Sequence, residues 1–194
     1  MKVRVEEGNT QLLEIVGDDV VKHFHPDTTF IDIPDNVYSV NDFIFPALRH
    51  IDGELGMDRG RMNEAAKALV ADRRWQRETG GIIVSGVNFT IPTTTEAQNK
   101  IASIVRNYQD GVLAADETSE FIVGPYTATM TKDKISFVNQ AVGRYVQNVF
   151  NRQKEIYDVI DQLLNDETIT LVEFVEYLLV ELNKWPANEY TLTA

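Results

Sequence analysis

The chain has 194 residues, of which 43% are hydrophobic and 25% charged, enough apolar material for a core and too much for global disorder. With 30 acidic and 18 basic residues the net charge is -12, which argues against a partner held mainly through phosphate contacts. Cysteine is absent, so disulfides, thiol catalysis and thiolate metal sites are excluded.

The first residues, Met1-Lys-Val-Arg-Val-Glu-Glu, contain no apolar signal core, and no uncharged apolar run approaches the ~20 residues a membrane helix needs. Folding in a cytoplasm is the expectation. Charge is uneven: residues 1–55 hold 4 basic and 11 acidic residues, residues 56–107 hold 8 and 5, and residues 108–194 hold 6 and 14. The basic middle reads either as a solvated helix face or as a surface for an acidic neighbour.

In chain order, Val3 and Val5 alternate with charged residues, Gly8-Asn9 follows, and Leu12 to Val16 is apolar, which predicts an N-terminal hairpin. Asp18 is placed to cap a short helix through Phe24, stopped by Pro26. Residues 28–45 read as extended, with a turn at Pro34-Asp35-Asn36 and an aromatic patch that includes Tyr38, Phe43 and Phe45. Residues 47–56 read as a connector broken by Asp52-Gly53 and Gly56.

A helix is predicted over 57–78, with Met62, Ala65, Ala66, Leu69 and Val70 on one face and Gly80-Gly81 as its stop. Ile82 to Ile91, around Gly86, reads as a hairpin. Thr93-x-x-Glu96 predicts a capping box for a helix that ends near Gly111. Residues 110–120 read as a loop and Phe121 to Met130 as a β segment bent at Gly124-Pro125.

Thr131 or Asp133 then caps a long helix. Along it Ile135, Val138, Val142, Tyr145, Val149, Ile156, Val159 and Leu163 fall on alternating three- and four-residue steps, broken only at Arg152. Such a heptad-like seam suits self-association or packing on the chain's own sheet, and the spacing does not separate the two. A last helix over 171–184, opened by the capping box Thr170-x-x-Glu173, ends before Pro186, and the tail from Asn188 is expected to be loose.

The expected fold class is α+β: a small N-terminal β-rich module (1–55), a helix–hairpin–helix–strand–long helix domain (56–165), and a C-terminal helix with its tail (166–194).

Chemistry-bearing patterns are weak. His23 and His25 flank Phe24, but no third ligand stands at a metal-site spacing. Residues 166–174 resemble half of a calcium loop, yet Leu164 and Glu167 occupy ligand and glycine positions, so the structural capping box is preferred. No Gly-x-Ser-x-Gly, phosphate-cradling Gly loop or His-Glu-x-x-His motif is present. Trp75, among Arg73, Arg74 and Arg77, has the composition of a base- or sugar-stacking site, but the chain's acidity favours a helix-end anchor to the core. No catalytic, cofactor or metal residue is assigned.

The segment Arg73 to Phe150 resembles an uncharacterised domain family of bacteriophage tail proteins. The matching residues are Arg74 with Gly80-Gly81, the segments Ile82–Gly86 and Phe89–Ile91, Thr93 to Gln98, and Ala141 to Phe150, where Tyr145 stands in place of the family's usual His. The N-terminal stretch through Pro26-Asp-Thr-Thr-Phe and Ile33-Pro-Asp is similar to the start of tail proteins that bear this domain.

The resemblance implies a non-enzymatic component of a tailed-phage virion, at the baseplate or fibre-attachment region and assembled in the host cytoplasm. It would bind other tail or fibre proteins and further copies of itself, but neither nucleic acid nor membrane. The alternatives are a fibre-assembly chaperone that leaves before maturation and, more remotely, a glycan-acting enzyme. The expected interface residues are Tyr38, Phe43, Phe45, Met62, Leu69, Ile135, Val138, Val142, Tyr145, Val149 and Ile156. For the aromatic patch around Tyr38 to Phe45, a core role stands beside docking.

Overall fold

The computed structural model describes residues 2–5, 12–16, 29–34, 44–51, 54–87, 89–123 and 126–191. The expected helix from Asp18, the histidines His23 and His25, and the patch residues Tyr38 and Phe43 lie outside these residues. Two compact units are formed, one from residues 1–72 and 155–184, the other from residues 73–154 and 185–194. This division falls elsewhere than at residues 55 and 165.

In the first unit, β1 (Lys2–Val5), β2 (Leu12–Val16) and β3 (Thr29–Asp32) form an antiparallel sheet in the order β2-β1-β3. The expected N-terminal hairpin is β1 and β2, with a register shift between Arg4 and Val5. A 3-10 turn (Phe45–Ala47) leads into β4 (Leu48–Ile51), which pairs antiparallel with β5 (Glu54–Met57). The expected connector is therefore a hairpin. Asp52-Gly53 stands between two strands as a two-residue pair, the strongest short hairpin signal.

Two helices contribute to both units. The helix α1 (Arg59–Thr79) buries Met62, Ala66, Leu69 and Val70, and the unit boundary falls after Asp72. In the second unit come β6 (Ile83–Val84), α2 (Thr95–Gln109) and the hairpin of β7 (Thr118–Val123) with β8 (Tyr126–Thr131). The long helix α3 (Lys132–Asn165) starts directly after β8, where Thr131 Oγ1 accepts from the Lys134 amide at 3.3 Å. The unit boundary divides α3 after Lys154. The first unit ends with α4 (Leu171–Glu181), and the second with β9 (Glu189–Tyr190).

The chain is α+β, as expected. Among the described residues no helix is long and apolar enough to cross a membrane.

Local signals shift by one position at α2. Its N-cap is Thr94, whose side chain accepts from the Ala97 amide. Thr93 is buried and donates its hydroxyl to the carbonyl of Glu78, so it secures the end of α1. The Thr170–Glu173 capping box at α4 is reciprocal, with both backbone amides satisfied.

The hairpin expected over 82–91 is reduced to one antiparallel bridge, Ile82 with Ile91. The strand β6 instead pairs in parallel with β9, so the tail expected to be loose supplies a strand. Asn188 Nδ2 donates to the Gly81 carbonyl at 3.3 Å beside this pairing.

The core of the second unit packs Ile82, Val84, Ile91, Ile101, Tyr108, Phe121 and Met130 against the α3 stripe Ile135, Val138, Ala141, Val142, Tyr145 and Val149. Further along α3, in the first unit, the buried residues are Ile156, Ile160 and Leu164. The heptad spacing predicts Val159 and Leu163 there. A 3.5-residue repeat would bury those two, but a straight α-helix of 3.6 residues per turn drifts about 20° per heptad, which moves the stripe one position on.

Candidate functional site

The first unit holds a knot of polar contacts that explains the resemblance to a calcium loop. Arg59, the first residue of α1, directs its guanidinium into the turn between α3 and α4. It donates to the carbonyls of Leu164 (3.2 Å), Asp166 (2.8 Å), Glu167 (3.0 Å) and Ile169 (3.1 Å). An organic cation thus occupies the carbonyl cradle and satisfies acceptors left open at the end of α3. Asp166 closes on its own loop, accepting from the amide (2.9 Å) and hydroxyl (2.7 Å) of Thr168. Those two bonds hold its carboxyl below the ordinary carboxylate range.

Nearby, Asp161 of α3 accepts from Lys67 of α1 at 2.6 and 2.8 Å and from Asn63 at 2.6 Å. Lys67 also lies 5.5 Å from the ring of Tyr157, whose hydroxyl donates to the Lys67 carbonyl at 2.9 Å. These groups are matched to one another, and their role is structural.

Described residues of the second unit line two concave sites. One is a polar pocket of about 320 Å³ at the C-terminal end of α1, lined by Arg73, Gln76, Arg77, Gly80, Gly81, Tyr145 and Asn188. Helical spacing puts Arg73 and Arg77 one turn apart on the same face. Gly81 makes the corner with φ +85°, and a Cβ there would come within 2.7 Å of the Ile91 carbonyl oxygen and of Thr90 Cγ2.

The phenol of Tyr145 donates to the Arg77 carbonyl at 2.8 Å. Burial pushes this phenol above its ordinary value, an effect the Arg77 charge opposes and Tyr190 reinforces. Trp75 is 58% exposed, so it is not the core anchor expected of it. The flanking arginines are divided in use: Arg74 pairs with Glu78 and lies 4.8 Å from the Phe150 ring, whereas Arg73 and Arg77 line the pocket.

The second concavity is an apolar groove of about 490 Å³ between α2 and β7, lined by Lys100, Ser103, Ile104, Glu120, Phe121 and Ile122. Strand alternation sends Phe121 into the core and leaves Ile122 55% exposed. Among the described residues β7 pairs with β8 alone.

Of the expected interface residues, Met62, Leu69 and Ile156 are buried in the first unit. Ile135, Val138, Val142, Tyr145 and Val149 are buried in the second. Their apolar surface is spent on the chain's own core. Phe45 falls in the 3-10 turn, and Tyr38 and Phe43 lie outside the described residues.

The sequence pattern does not show that Arg77 and Asn188 line one pocket, because the two residues are distant in the chain. The available signal was two arginines four apart just before the Gly80-Gly81 stop. Among the described residues no group of three or more His, Cys, Asp or Glu is placed to hold a metal ion.

These features define an α+β chain whose described residues form a polar and an apolar concavity in the second unit. Residues 61–176, more than half of the chain, match the family described as "Domain of unknown function (DUF4376)", and the chain belongs to that family. The matched span runs from within α1 to within α4 and so draws on both units. No curated protein and no solved structure matches the chain.

Proposed function

We propose that this chain is a structural component of a bacteriophage tail, at the baseplate or fibre-attachment region, and that it works by binding other tail or fibre proteins. Two things support the reading. The first is the resemblance of Arg73 to Phe150, and of the N-terminal stretch, to tail proteins.

The second is the observation that carries the binding mode: an apolar groove floored by Ile104 and Phe121, with Ile122 exposed at its edge and Lys100 and Glu120 beside it. Such a groove suits an apolar side chain or strand of a partner, with the flanking charges setting its orientation. In this reading the chain binds through the groove and transforms no substrate. Self-association through the α3 stripe is not part of it, because that stripe is core.

Proteomics of purified particles tests the proposal. A fixed copy number in mature particles is the expected result. Absence from particles, with fibres aggregating when the chain is deleted, would replace it with an assembly chaperone. The Ile122→Glu variant should fold normally, because the side chain is more than half exposed, yet fail to enter particles. Normal incorporation of this variant would remove the groove from the argument.

A further inference from the structure

We propose that the pocket at the C-terminal end of α1 is a binding site for a small oxyanion, a carboxylate or phosphate group held by Arg73 and Arg77. This site is separate from the apolar groove and does not rest on the tail reading.

Arginines near a helix C-terminus have an ordinary use, which is to complement exposed carbonyls and the negative end of the helix dipole. Here other groups do much of that work. The Trp75 carbonyl accepts from the Thr79 hydroxyl at 2.8 Å. The Arg77 carbonyl accepts from the Tyr145 phenol and from the Gly80 amide at 3.3 Å. The Glu78 carbonyl accepts from the Thr93 hydroxyl. The Gly81 carbonyl, just past the helix, accepts from the Asn188 amide. The two guanidiniums are left uncommitted: among the described residues neither Arg73 nor Arg77 donates to a carboxylate.

The chain has 30 acidic residues, and several of its other cations are matched. Arg49 pairs with Asp58 at 3.2 Å, Lys67 with Asp161 at 2.6 Å, Lys100 with Glu96 at 2.8 Å, and Arg74 with Glu78. None of the described residues that line the pocket is acidic. Two planar forks one turn apart present donors suited to bidentate recognition of an oxyanion. The volume, about 320 Å³, lies at the small-ligand end of ordinary binding pockets. Tyr145 and Asn188 shape the walls through their bonds to the chain, and the turn at Gly81 fixes the rim.

The test is titration calorimetry of the full chain with inorganic phosphate and, separately, with succinate at constant ionic strength. Amide NMR locates the response. Saturable binding of either probe, with shifts confined to Arg73, Arg77, Gly81, Tyr145 and Asn188, is the expected result. The stronger probe identifies whether carboxylate or phosphate is preferred.

Arg73→Gln and Arg77→Gln should each weaken binding about tenfold, the worth of a charge-assisted hydrogen bond, and the double variant should abolish it. Arg106→Gln, on the exposed face of α2, should change nothing. Arg73 is only half-buried and Arg77 is exposed, so the variants should keep the wild-type circular dichroism spectrum. Failure of both probes to bind, or binding that survives the double variant, would overturn the proposal.

Discussion

A single side chain decides how the turn between α3 and α4 is built. Arg59 places one guanidinium against four carbonyls, two of them half-buried. Removing it leaves those acceptors to water or to nothing. Arg59→Ala should therefore lower stability by about 2–3 kcal/mol, within the range for hydrogen bonds to a charged group. Arg59→Lys should recover only part of this, because an ammonium is a point charge and cannot span the cradle as a planar fork does. Urea midpoints at unchanged m-value would read both effects. Equal stability of the alanine variant and the wild type would mean that the loop holds itself through Asp166 and Thr168 alone. The sequence carried half of this arrangement. The ligand-like pattern of residues 166–174 was visible, but its cation was a residue of another helix, and pattern reading has no term for such a partner.

Elements were legible where their cause is local. The capping box Thr170–Glu173, the stop at Gly80-Gly81 and the hairpin of β1 with β2 each depend on residues close in the chain, and each forms. Thr93 and Thr94 show the limit of that reading. Both hydroxyls fit an N-cap, and only the Glu78 carbonyl, which claims Thr93, passes the cap to Thr94. Strand β6 shows it again, because its partner β9 comes from the far end of the chain and outcompetes the nearby segment at Ile91. The α3 stripe was visible as a periodicity, but whether it faced the core or another copy was not, since both burials demand the same side chains. Val142 is 3% exposed in the second unit's core. Val142→Glu should bury an unpaired charge and destabilise by about 4 kcal/mol or more. Loss of the cooperative thermal transition is the expected result. A variant that stays folded and only runs at a lower mass in size exclusion would return the stripe to an interface.

At the scale of the whole molecule, stability should form a plateau bounded by carboxylates on one side and by a buried and a half-buried phenol on the other. Asp161 is held below the ordinary carboxylate range by its hydrogen bonds from Lys67 and then Asn63. Asp58 is lowered first by the Arg61 amide, Glu173 by the Thr170 amide, and Glu96 by Lys100. A group whose folded value is depressed takes up a proton more readily when unfolded. Its contribution is complete above the unfolded value, about 4, and is lost as pH falls through the folded one. Tyr145 and Tyr190 are shifted upward, chiefly by burial. Their contribution is complete below the unfolded phenol value of about 10 and is lost as pH rises through the folded one. Melting temperature should thus be nearly flat between about pH 5 and 9 and fall on both sides. The variant Asp161→Asn separates charge from shape at the Lys67–Tyr157 cluster. It should melt below the wild type on the plateau, where the wild-type carboxylate is ionised against Lys67. The two curves should converge near pH 2, where the wild-type group is protonated as well. A gap that stays constant down to that pH would show that Asp161 acts through its hydrogen-bond geometry with Asn63, and that its ionisation contributes nothing to the acid limb.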